Sequence, residues 1–393
     1  MKMYNIPEIA KGVFAVGSKD WNRRMFDALI PLPHGTSYNA YLVKGSEKTA
    51  LVDTVNHGFE NELLDKIKII TQGESLDYVV MNHAEPDHAG SISCILNENN
   101  GAVLITTEKG KKMAQTYFNV PEERIKTVKD GDCIELGEKT LKFIDAPFLH
   151  WPETMFTYLV EDKVLLSCDF FGAHTAFGIY DDDVEEIISL AKSYFGEIMM
   201  PFKKMGNKAL DKIKNLEIDV IAPSHGPIYK NTERILSVYR KWTVGDTREK
   251  AIVLYVSMWN HTEKMIKTIV ETLQSENIEV CMYNIPYADL GDVAKDLVDS
   301  RAVVLGTPNV LGGAHPVAIY IAHLARLLKP PLKYGVVLSS YGWNEGAVRQ
   351  IGDILEPLKI EIVGTLEVNG PPSVDDDQKI ISLGKVLAGK IKG

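Results

Sequence analysis

The stretch Met81-Asn82-His83-Ala84-Glu85-Pro86-Asp87-His88 contains two histidines and two acids in a spacing that suits metal binding: His83, Glu85, Asp87 and His88. It follows the apolar, β-branched run Tyr78 to Met81, which has the pattern of a buried strand. Loops at strand ends present side chains from a rigid scaffold, as metal and catalytic sites require. The stretch therefore predicts a metal site at the edge of a sheet.

Three later segments supply further candidate ligands after apolar runs, namely His150, Asp169 and His225. Four imidazoles and three carboxylates suit two neighbouring metal ions. The predicted ligands are His83, Glu85 and His150 for one ion, Asp87, His88 and His225 for the other, and Asp169 as the bridge. Two histidines and one carboxylate with open positions are typical of non-haem iron, whereas structural zinc favours closed sites rich in thiolate and imidazole. The pattern favours iron over zinc.

Length and composition narrow the class of protein. The chain has 393 residues, of which 45% are hydrophobic and 24% charged, which is ordinary globular usage with room for two or more domains. A net charge of −10 argues against nucleic acid or an anionic membrane as a general partner. No run has the length of a membrane span, and Met1 to Pro7 lacks an apolar signal core. We therefore expect a cytoplasmic protein.

The four cysteines are scattered singly, at Cys94, Cys133, Cys168 and Cys281. No Cys-x-x-Cys pair is present that could form a redox dithiol, a zinc knuckle or a rubredoxin-type iron site. We therefore expect reduced thiols, and an electron donor that is external to this chain.

Periodicity divides the chain near residue 249, and we predict domains at 1–248 and 249–393. The first part contains hairpin-like β runs and separate strands, and Lys241 to Glu249 is the predicted connector. From Ala251 onward, five predicted strands alternate with five predicted helices. This alternation indicates an α/β domain with a doubly wound parallel sheet.

In such a sheet a ligand binds beyond the strand ends, where the strand order reverses. Three loops there combine hydroxyls, small residues and aromatic rings. The predicted cofactor-binding residues are Ser257, Met258, Trp259, Asn260, His261, Thr262, Thr307, Pro308, Asn309, Val310, Leu311, Gly312, Ser340, Tyr341, Gly342, Trp343, Asn344 and Gly346. The first loop suits a phosphate at a helix start but lacks dinucleotide glycines, so FMN is favoured over NAD or FAD. The alternative is that the aromatic residues are ordinary core or surface residues.

The chain resembles the flavodiiron proteins, also called A-type flavoproteins, over nearly its whole length. The resemblance rests on His83-x-Glu85-x-Asp87-His88, Leu149-His150-Trp151-Pro152, Ser167-Cys168-Asp169, Pro223-Ser224-His225-Gly226 and Tyr341-Gly342-Trp343. It implies a metallo-β-lactamase-like αββα domain with a di-iron centre, followed by a flavodoxin-like FMN domain. The implied reaction is reduction of dioxygen to water or of nitric oxide to nitrous oxide. Hydrolytic relatives with this scaffold typically have histidine at the position of Glu85 and use zinc.

The resemblance also implies partners and further pocket residues. The donor would be rubredoxin or a reduced deazaflavin coenzyme, and the assembly a head-to-tail homodimer or a dimer of such dimers. Tyr194 and His174 match residues that line the substrate pocket, where they would donate hydrogen bonds or protons. The chain departs from the family pattern at Asp27, where many members have a pocket histidine, so gas preference cannot be inferred from that position. The alternative is that Asp27 is simply a solvated loop residue.

Two other functions compete with this hypothesis. A dizinc hydrolase acting on a thioester or phosphodiester would use the same scaffold with zinc and without bound flavin. A non-catalytic electron carrier or gas sensor would bind both cofactors without rapid turnover of dioxygen or nitric oxide.

Overall fold

The computed structural model describes residues 4–393 and contains two compact units. Of the described residues, those up to Phe195 and Phe202–Thr243 form one unit, and Gly196–Pro201 and Val244–Gly393 form the other. The predicted domain boundary at residues 248 and 249 stays a prediction. Of the helices in the described part of the chain, none combines the length and apolar character that a membrane span requires.

Two facing sheets form the centre of the first unit. Its strands are β1 (Glu8–Ala10), β2 (Val13–Ala15), β3 (Ser18–Asp20), β4 (Met25–Phe26), β5 (Ile30–Pro31), β6 (Thr36–Tyr38), β7 (Tyr41–Lys44), β8 (Thr49–Val52), β9 (Tyr78–Val80), β10 (Val103–Thr106), β11 (Ile125–Thr127), β12 (Cys133–Glu135), β13 (Thr140–Asp145), β14 (Met155–Leu159), β15 (Val164–Cys168) and β16 (Val220–Pro223). One sheet has the order β1-β2-β7-β8-β9-β10-β11 and the other β12-β13-β14-β15-β16. Strands β3 with β6 and β4 with β5 form two small antiparallel pairs.

Helices cover the outer faces of this sandwich. They are α1 (Glu60–Thr71), α2 (Pro86–Ala89), α3 (Ile92–Glu98), α4 (Glu108–Phe118), α5 (Ile187–Tyr194), α6 (Lys203–Ile213) and α7 (Thr232–Val244). Side chains alternate across a strand, so Ala50 and Val52 pack into the core between the sheets while Leu51 packs in the core beside α1. On the second sheet, Phe170 packs against Tyr239 of α7 with ring centroids 4.9 Å apart. The predicted αββα arrangement is confirmed.

The second unit contains one parallel sheet with helices between successive strands. Its elements are β17 (Lys250–Tyr255), α8 (His261–Ser275), β18 (Glu279–Asn284), α9 (Leu290–Leu297), β19 (Ala302–Val310), β20 (Gly313–Ala314), α10 (Pro316–Leu328), β21 (Tyr334–Tyr341), α11 (Ala347–Leu355), β22 (Glu361–Asn369) and α12 (Val374–Lys392). The order is β18-β17-β19-β21-β22, with the short β20 paired antiparallel to β19. The predicted flavodoxin-like, doubly wound sheet is confirmed.

The structure corrects two local predictions. Residues 307–310, predicted as a loop, continue strand β19, because Asn309 and Val310 pair with the short strand β20. The predicted connector from Lys241 to Glu249 begins inside α7, which extends to Val244 because Trp242 is buried beside Tyr239 and Phe195. The non-helical connector therefore contains only residues 245–249.

Candidate di-metal and flavin sites

The predicted metal ligands all lie just beyond strand ends of the first unit. The stretch from His83 to His88 follows β9, and His150 lies between β13 and β14. Asp169 directly follows β15, and His225 follows β16. The two sheets thus bring together side chains that are up to 142 positions apart, and all seven are fully or largely buried.

Four of these side chains form one cluster, made of His83, Glu85, His150 and Asp169. Glu85 Oε2 lies 2.9 Å from Nε2 of His150 and 3.2 Å from Nε2 of His83. Asp169 Oδ2 lies 3.4 Å from Nε2 of His83 and 3.6 Å from Nε2 of His150. Imidazole nitrogens and carboxylate oxygens therefore converge from four segments on one small volume.

A second cluster contains Asp87, His88 and His225. Asp87 Oδ2 lies 3.2 Å from Nε2 of His225, and Asp87 Oδ1 lies 3.4 Å from Nε2 of His88. The other oxygen of Asp169, Oδ1, lies 2.9 Å from Nε2 of His88 and 3.6 Å from Nε2 of His225. The two oxygens of Asp169 thus face different clusters, which is the geometry that a bridging carboxylate needs.

Many of these polar atoms make no hydrogen bond within the described residues, although they are buried. They include both carboxylate oxygens of Asp87, both of Asp169, and both ring nitrogens of His88. Leaving a buried polar group unpaired costs about 1–3 kcal/mol, and more when the group is charged. A cation bound in each cluster would satisfy these atoms, so the donor set fits two metal ions.

Electrostatics within the clusters favours ionised carboxylates. Burial raises the pKa of Asp169, but the charges of His88, His83 and His225 outweigh burial and hold it well below its usual value. The same competition, with hydrogen bonds from His150 and His83, lowers the pKa of Glu85. Ionised carboxylates are the form that ligates metal.

Residues outside the clusters orient two of the histidines. Nδ1 of His83 lies 2.8 Å from Oε1 of Glu153, whose side chain is fully buried, and the backbone N–H of Ala84 donates to the same oxygen. Nδ1 of His225 lies 2.6 Å from the carbonyl oxygen of Ser37 and 3.2 Å from Oγ1 of Thr36. Such contacts fix the ring so that Nε2 faces the cluster.

The sequence analysis did not single out Glu153, Thr36 or Ser37. Glu153 carried a usable signal, because it is an acid three positions after His150 in an otherwise apolar stretch. Thr36 and Ser37 carried none, because each is a small polar residue in a short strand and its partner is about 190 positions away.

His174 and Tyr194 lie beside the second cluster. The His174 ring is 4.8 Å from both the His225 and Tyr194 rings, and its Nδ1 lies 3.0 Å from Oγ1 of Thr36. Burial, together with the charge of His225, lowers the pKa of His174 well below its usual value. Burial and the charges of Asp169 and Asp87 raise the pKa of Tyr194. The pair therefore consists of a neutral imidazole and a protonated phenol.

Asp27 lies in the tight turn between β4 and β5, with φ +49°. The adjacent Phe26 packs against the rings of His174 and His225, so this hairpin borders the second cluster. Asp27 itself is exposed. Partial desolvation and the negative charge of Glu85 raise its pKa, while His150 acts in the opposite sense.

The three predicted flavin loops lie together in the second unit. Oγ1 of Thr262 lies 2.8 Å from Oγ of Ser340, and the side-chain amide of Asn309 donates to the carbonyl oxygen of Asn344. They lie at the C-terminal ends of β17, β19 and β21, where Thr307 to Val310 are the last residues of β19 and Ser340 and Tyr341 the last of β21. The strand order reverses between β17 and β19. Gly346 has φ +131°, a backbone conformation that glycine adopts readily and that starts α11.

Large apolar side chains of these loops are exposed to solvent, although such side chains are normally buried in globular proteins. Trp343 is 90% exposed, Trp259 76% and Leu311 97%. The first loop ends at the N-terminus of α8, where Ser257 Oγ accepts a hydrogen bond from the N–H of Glu263. Exposed rings beside hydroxyls and a helix N-terminus suit a flat ring with a phosphate, so these residues fit FMN.

Comparison with known proteins also indicates a lactamase-like part followed by a flavodoxin-like part. The family described as "ODP family beta lactamase" matches residues 36–226, and "Flavodoxin" matches residues 253–384. The chain is 37% identical to the nitric oxide reductase of Moorella thermoacetica, with 98% of each chain covered. It is 32% identical to a coenzyme F420H(2) oxidase of Methanocaldococcus jannaschii, covering 98% of this chain and 97% of that one. The rubredoxin oxygen:oxidoreductase structure from Desulfovibrio gigas superposes with a TM-score of 0.95 at 27% identity, covering 99% of each chain.

A buried di-metal cluster in a lactamase-like unit, joined to a flavodoxin unit, defines an oxidoreductase with two kinds of cofactor. The chain belongs to the flavodiiron protein family. Its cofactors are FMN and a di-iron centre, and both predictions are confirmed.

Proposed function

We propose that this enzyme reduces dioxygen to water, nitric oxide to nitrous oxide, or both, with electrons passing from an external donor through FMN to the di-iron centre. The observation that supports this proposal most strongly is the convergence of seven buried ligand side chains on two points that share Asp169. The names of the Moorella and Desulfovibrio relatives, a nitric oxide reductase and a rubredoxin oxygen:oxidoreductase, support the two substrates.

We assign the ligands by cluster. His83, Glu85 and His150 would hold one iron, Asp87, His88 and His225 the other, and Asp169 both. Glu85 distinguishes this set from a dizinc hydrolase, because its carboxylate occupies the place at which hydrolytic relatives have a third imidazole. Two histidines and a terminal carboxylate per ion leave positions for a diatomic substrate.

When bound, two ferrous ions and one reduced flavin together supply four electrons, which dioxygen reduction needs, whereas coupling two nitric oxide molecules needs two. The chain's own residues would manage protons. The phenol of Tyr194 keeps its proton in this environment and can donate it in a hydrogen bond. The imidazole of His174 is neutral and is oriented by Thr36.

The flavin would bind at the three loops of the second unit. Ser257, Asn260 and Thr262 at the start of α8 would hold the phosphate, and Trp259 and Trp343 would flank the ring. Hydrogen bonds between the loops, such as Thr262 with Ser340, would keep this edge in one shape.

We also propose a head-to-tail homodimer, in which the flavin of one subunit faces the irons of its partner. Co-expression of two variants tests this arrangement: Asp169→Ala, designed to lose iron, and Trp259→Ala with Trp343→Ala, designed to bind FMN weakly and stripped of FMN by dialysis. A head-to-tail heterodimer restores one complete site and therefore turnover. Turnover no greater than in either parent would contradict the arrangement.

The donor is proposed to be rubredoxin or a reduced deazaflavin coenzyme. The chain contains no Cys-x-x-Cys pair for an iron–thiolate site of its own, and relatives named for rubredoxin and for F420H(2) support these donors. Steady-state rates with each donor in turn, at saturating gas, would identify the donor that this enzyme uses.

The deciding experiment is anaerobic reduction of the iron- and FMN-loaded enzyme, followed by separate mixing with dioxygen and with nitric oxide. The proposal expects many turnovers with at least one gas and water or nitrous oxide as product. A single reoxidation without turnover would indicate a carrier or sensor instead. The ratio of the two turnover rates gives the gas preference.

A further inference from the structure

A cavity of about 480 Å³ lies in the first unit, lined by none of the seven candidate metal ligands. Its walls come from the segment between β2 and β3, from α1 and from the loop at Gly178. A side chain at Gly17 would place its Cβ 2.2 Å from the carbonyl oxygen of Tyr38, so the wall requires glycine there. The volume lies in the range of small-molecule sites, about 300–1,000 Å³.

Two lysines give this cavity a positive charge. Lys66 is 7% exposed, and its Nζ donates to the carbonyl oxygen of Gly17 and, at 2.6 Å, to Oε1 of Glu62. Lys19 is half-buried and donates to the carbonyl oxygen of Gly178; no ion pair within 4 Å joins it to a carboxylate of the described residues, and Asp183, which does not line the cavity, is the acid whose charge acts on it. The lining therefore has two ammonium groups against one carboxylate, Glu62, and one positive charge without a direct partner.

Aromatic rings lie beside both ammonium groups. Nζ of Lys19 is 5.7 Å from the Trp21 ring centroid, and Nζ of Lys66 is 5.6 Å from the Tyr4 ring centroid. Trp21 is 48% exposed, so part of its face is available to a ligand. Ser18 also borders the cavity, and its buried hydroxyl makes no hydrogen bond within the described residues.

We propose that this cavity binds a small organic anion that carries a flat ring. Its carboxylate or phosphate group would pair with Lys19 and Lys66, and its ring would pack against Trp21 or Tyr4. A neutral or cationic ligand would leave the half-buried Lys19 ammonium with only the carbonyl oxygen of Gly178 as a direct partner and Asp183 as a more distant charge. The site is independent of the di-iron chemistry, because it uses none of the ligand side chains.

Calorimetric titration of the iron- and FMN-loaded enzyme tests the proposal with two probes, phenyl phosphate and benzoate. Phenol supplies the ring alone and inorganic phosphate the head group alone. We expect a dissociation constant below about 1 mM for at least one ringed anion, and binding at least about tenfold weaker for phenol and phosphate. The affinity ratio of phenyl phosphate to benzoate identifies the preferred head group.

A charge-removing variant locates the binding. Lys19→Gln can still donate to the carbonyl oxygen of Gly178 and should weaken binding about tenfold or more, whereas Lys19→Arg and the exposed control Lys112→Gln should not. Higher ionic strength should weaken the charged probe in the unmodified enzyme, which tests the charge without a substitution. Absence of binding by both ringed anions, or equal binding to Lys19→Gln, would overturn the proposal.

Discussion

The metal clusters and the flavin edge are built in opposite ways. At the metal clusters, charged side chains are buried and several of their atoms make no hydrogen bond within the described residues, as for Asp169 and His88. At the flavin edge, Trp259 and Trp343 are large apolar side chains that stand exposed. The first region contains buried polar atoms that bound cations would satisfy, and the second contains exposed rings that a flat ligand would cover. Each feature therefore indicates the kind of cofactor that would bind in that region.

This difference also predicts how each region should respond to substitution. A buried carboxylate that faces both clusters cannot be replaced without leaving other charges unpaired, so the effect should be large. An exposed ring contributes a limited contact to a ligand that several loops share, so the effect should be modest.

The largest effect is expected for Asp169→Ala, because this residue faces both clusters. Iron should be lost from both positions, turnover should fall by more than about a hundredfold, and FMN should stay bound. Iron analysis, flavin absorbance and gas consumption measure the three quantities. The exposed Asp182→Ala is the matched control and should behave as the unmodified enzyme. Full iron content in Asp169→Ala would refute the bridging role.

Glu153→Gln should have the next largest effect, because it removes the charge that orients His83 while keeping the shape of the side chain. Loss of such an outer contact typically costs about 10–100-fold in metal affinity. Competition with a chelator measures the change, with the surface variant Glu161→Gln as control. An unchanged iron affinity would mean that the ring is held by packing alone.

Trp343→Ala should weaken FMN binding about tenfold and leave iron content unchanged, since aromatic contacts contribute about 0.5–1.5 kcal/mol. Trp343→Phe should keep most of the affinity, and Val386→Ala, an exposed apolar residue on α12, should have no effect. Fluorescence titration of flavin-free protein gives the dissociation constants. A loss of iron in Trp343→Ala would break the contrast between the two regions.

Thr36→Val should give the smallest effect, about threefold to fivefold in iron affinity, because one hydrogen bond contributes about 1 kcal/mol and Ser37 still accepts from His225. The same chelator competition measures it, with the exposed Thr116→Val as control. A hundredfold change would show that Thr36 is as important as Glu153.

The sequence predicted the fold class, and the candidate ligands that it named lie close together in the structure, because most of them follow an apolar run whose strand identity is local information. Their role as ligands stays a prediction. It did not reveal Thr36 or Ser37, because their partner is about 190 positions away and no local pattern marks such contacts. Glu153 was missed although its position three residues after His150 carried a usable signal. The burial of Trp242 in α7 likewise outweighed the local pattern that predicted a connector from Lys241. The pairing of β19 with β20 outweighed the pattern that predicted a loop at residues 307–310.

The exposed tryptophans are another case in which the sequence alone did not decide between two roles. Sequence position placed Trp259 and Trp343 in loops, but an aromatic residue in a loop is compatible with core packing as well as with ligand contact. The exposure of both rings in the structure distinguishes these alternatives, because a ring packed in the core would be buried.

The most direct test of the account is metal and flavin analysis of protein produced with iron, zinc and FMN all available. The account predicts about two irons and one FMN per chain, with little zinc. Two zinc ions per chain and no bound flavin would contradict it.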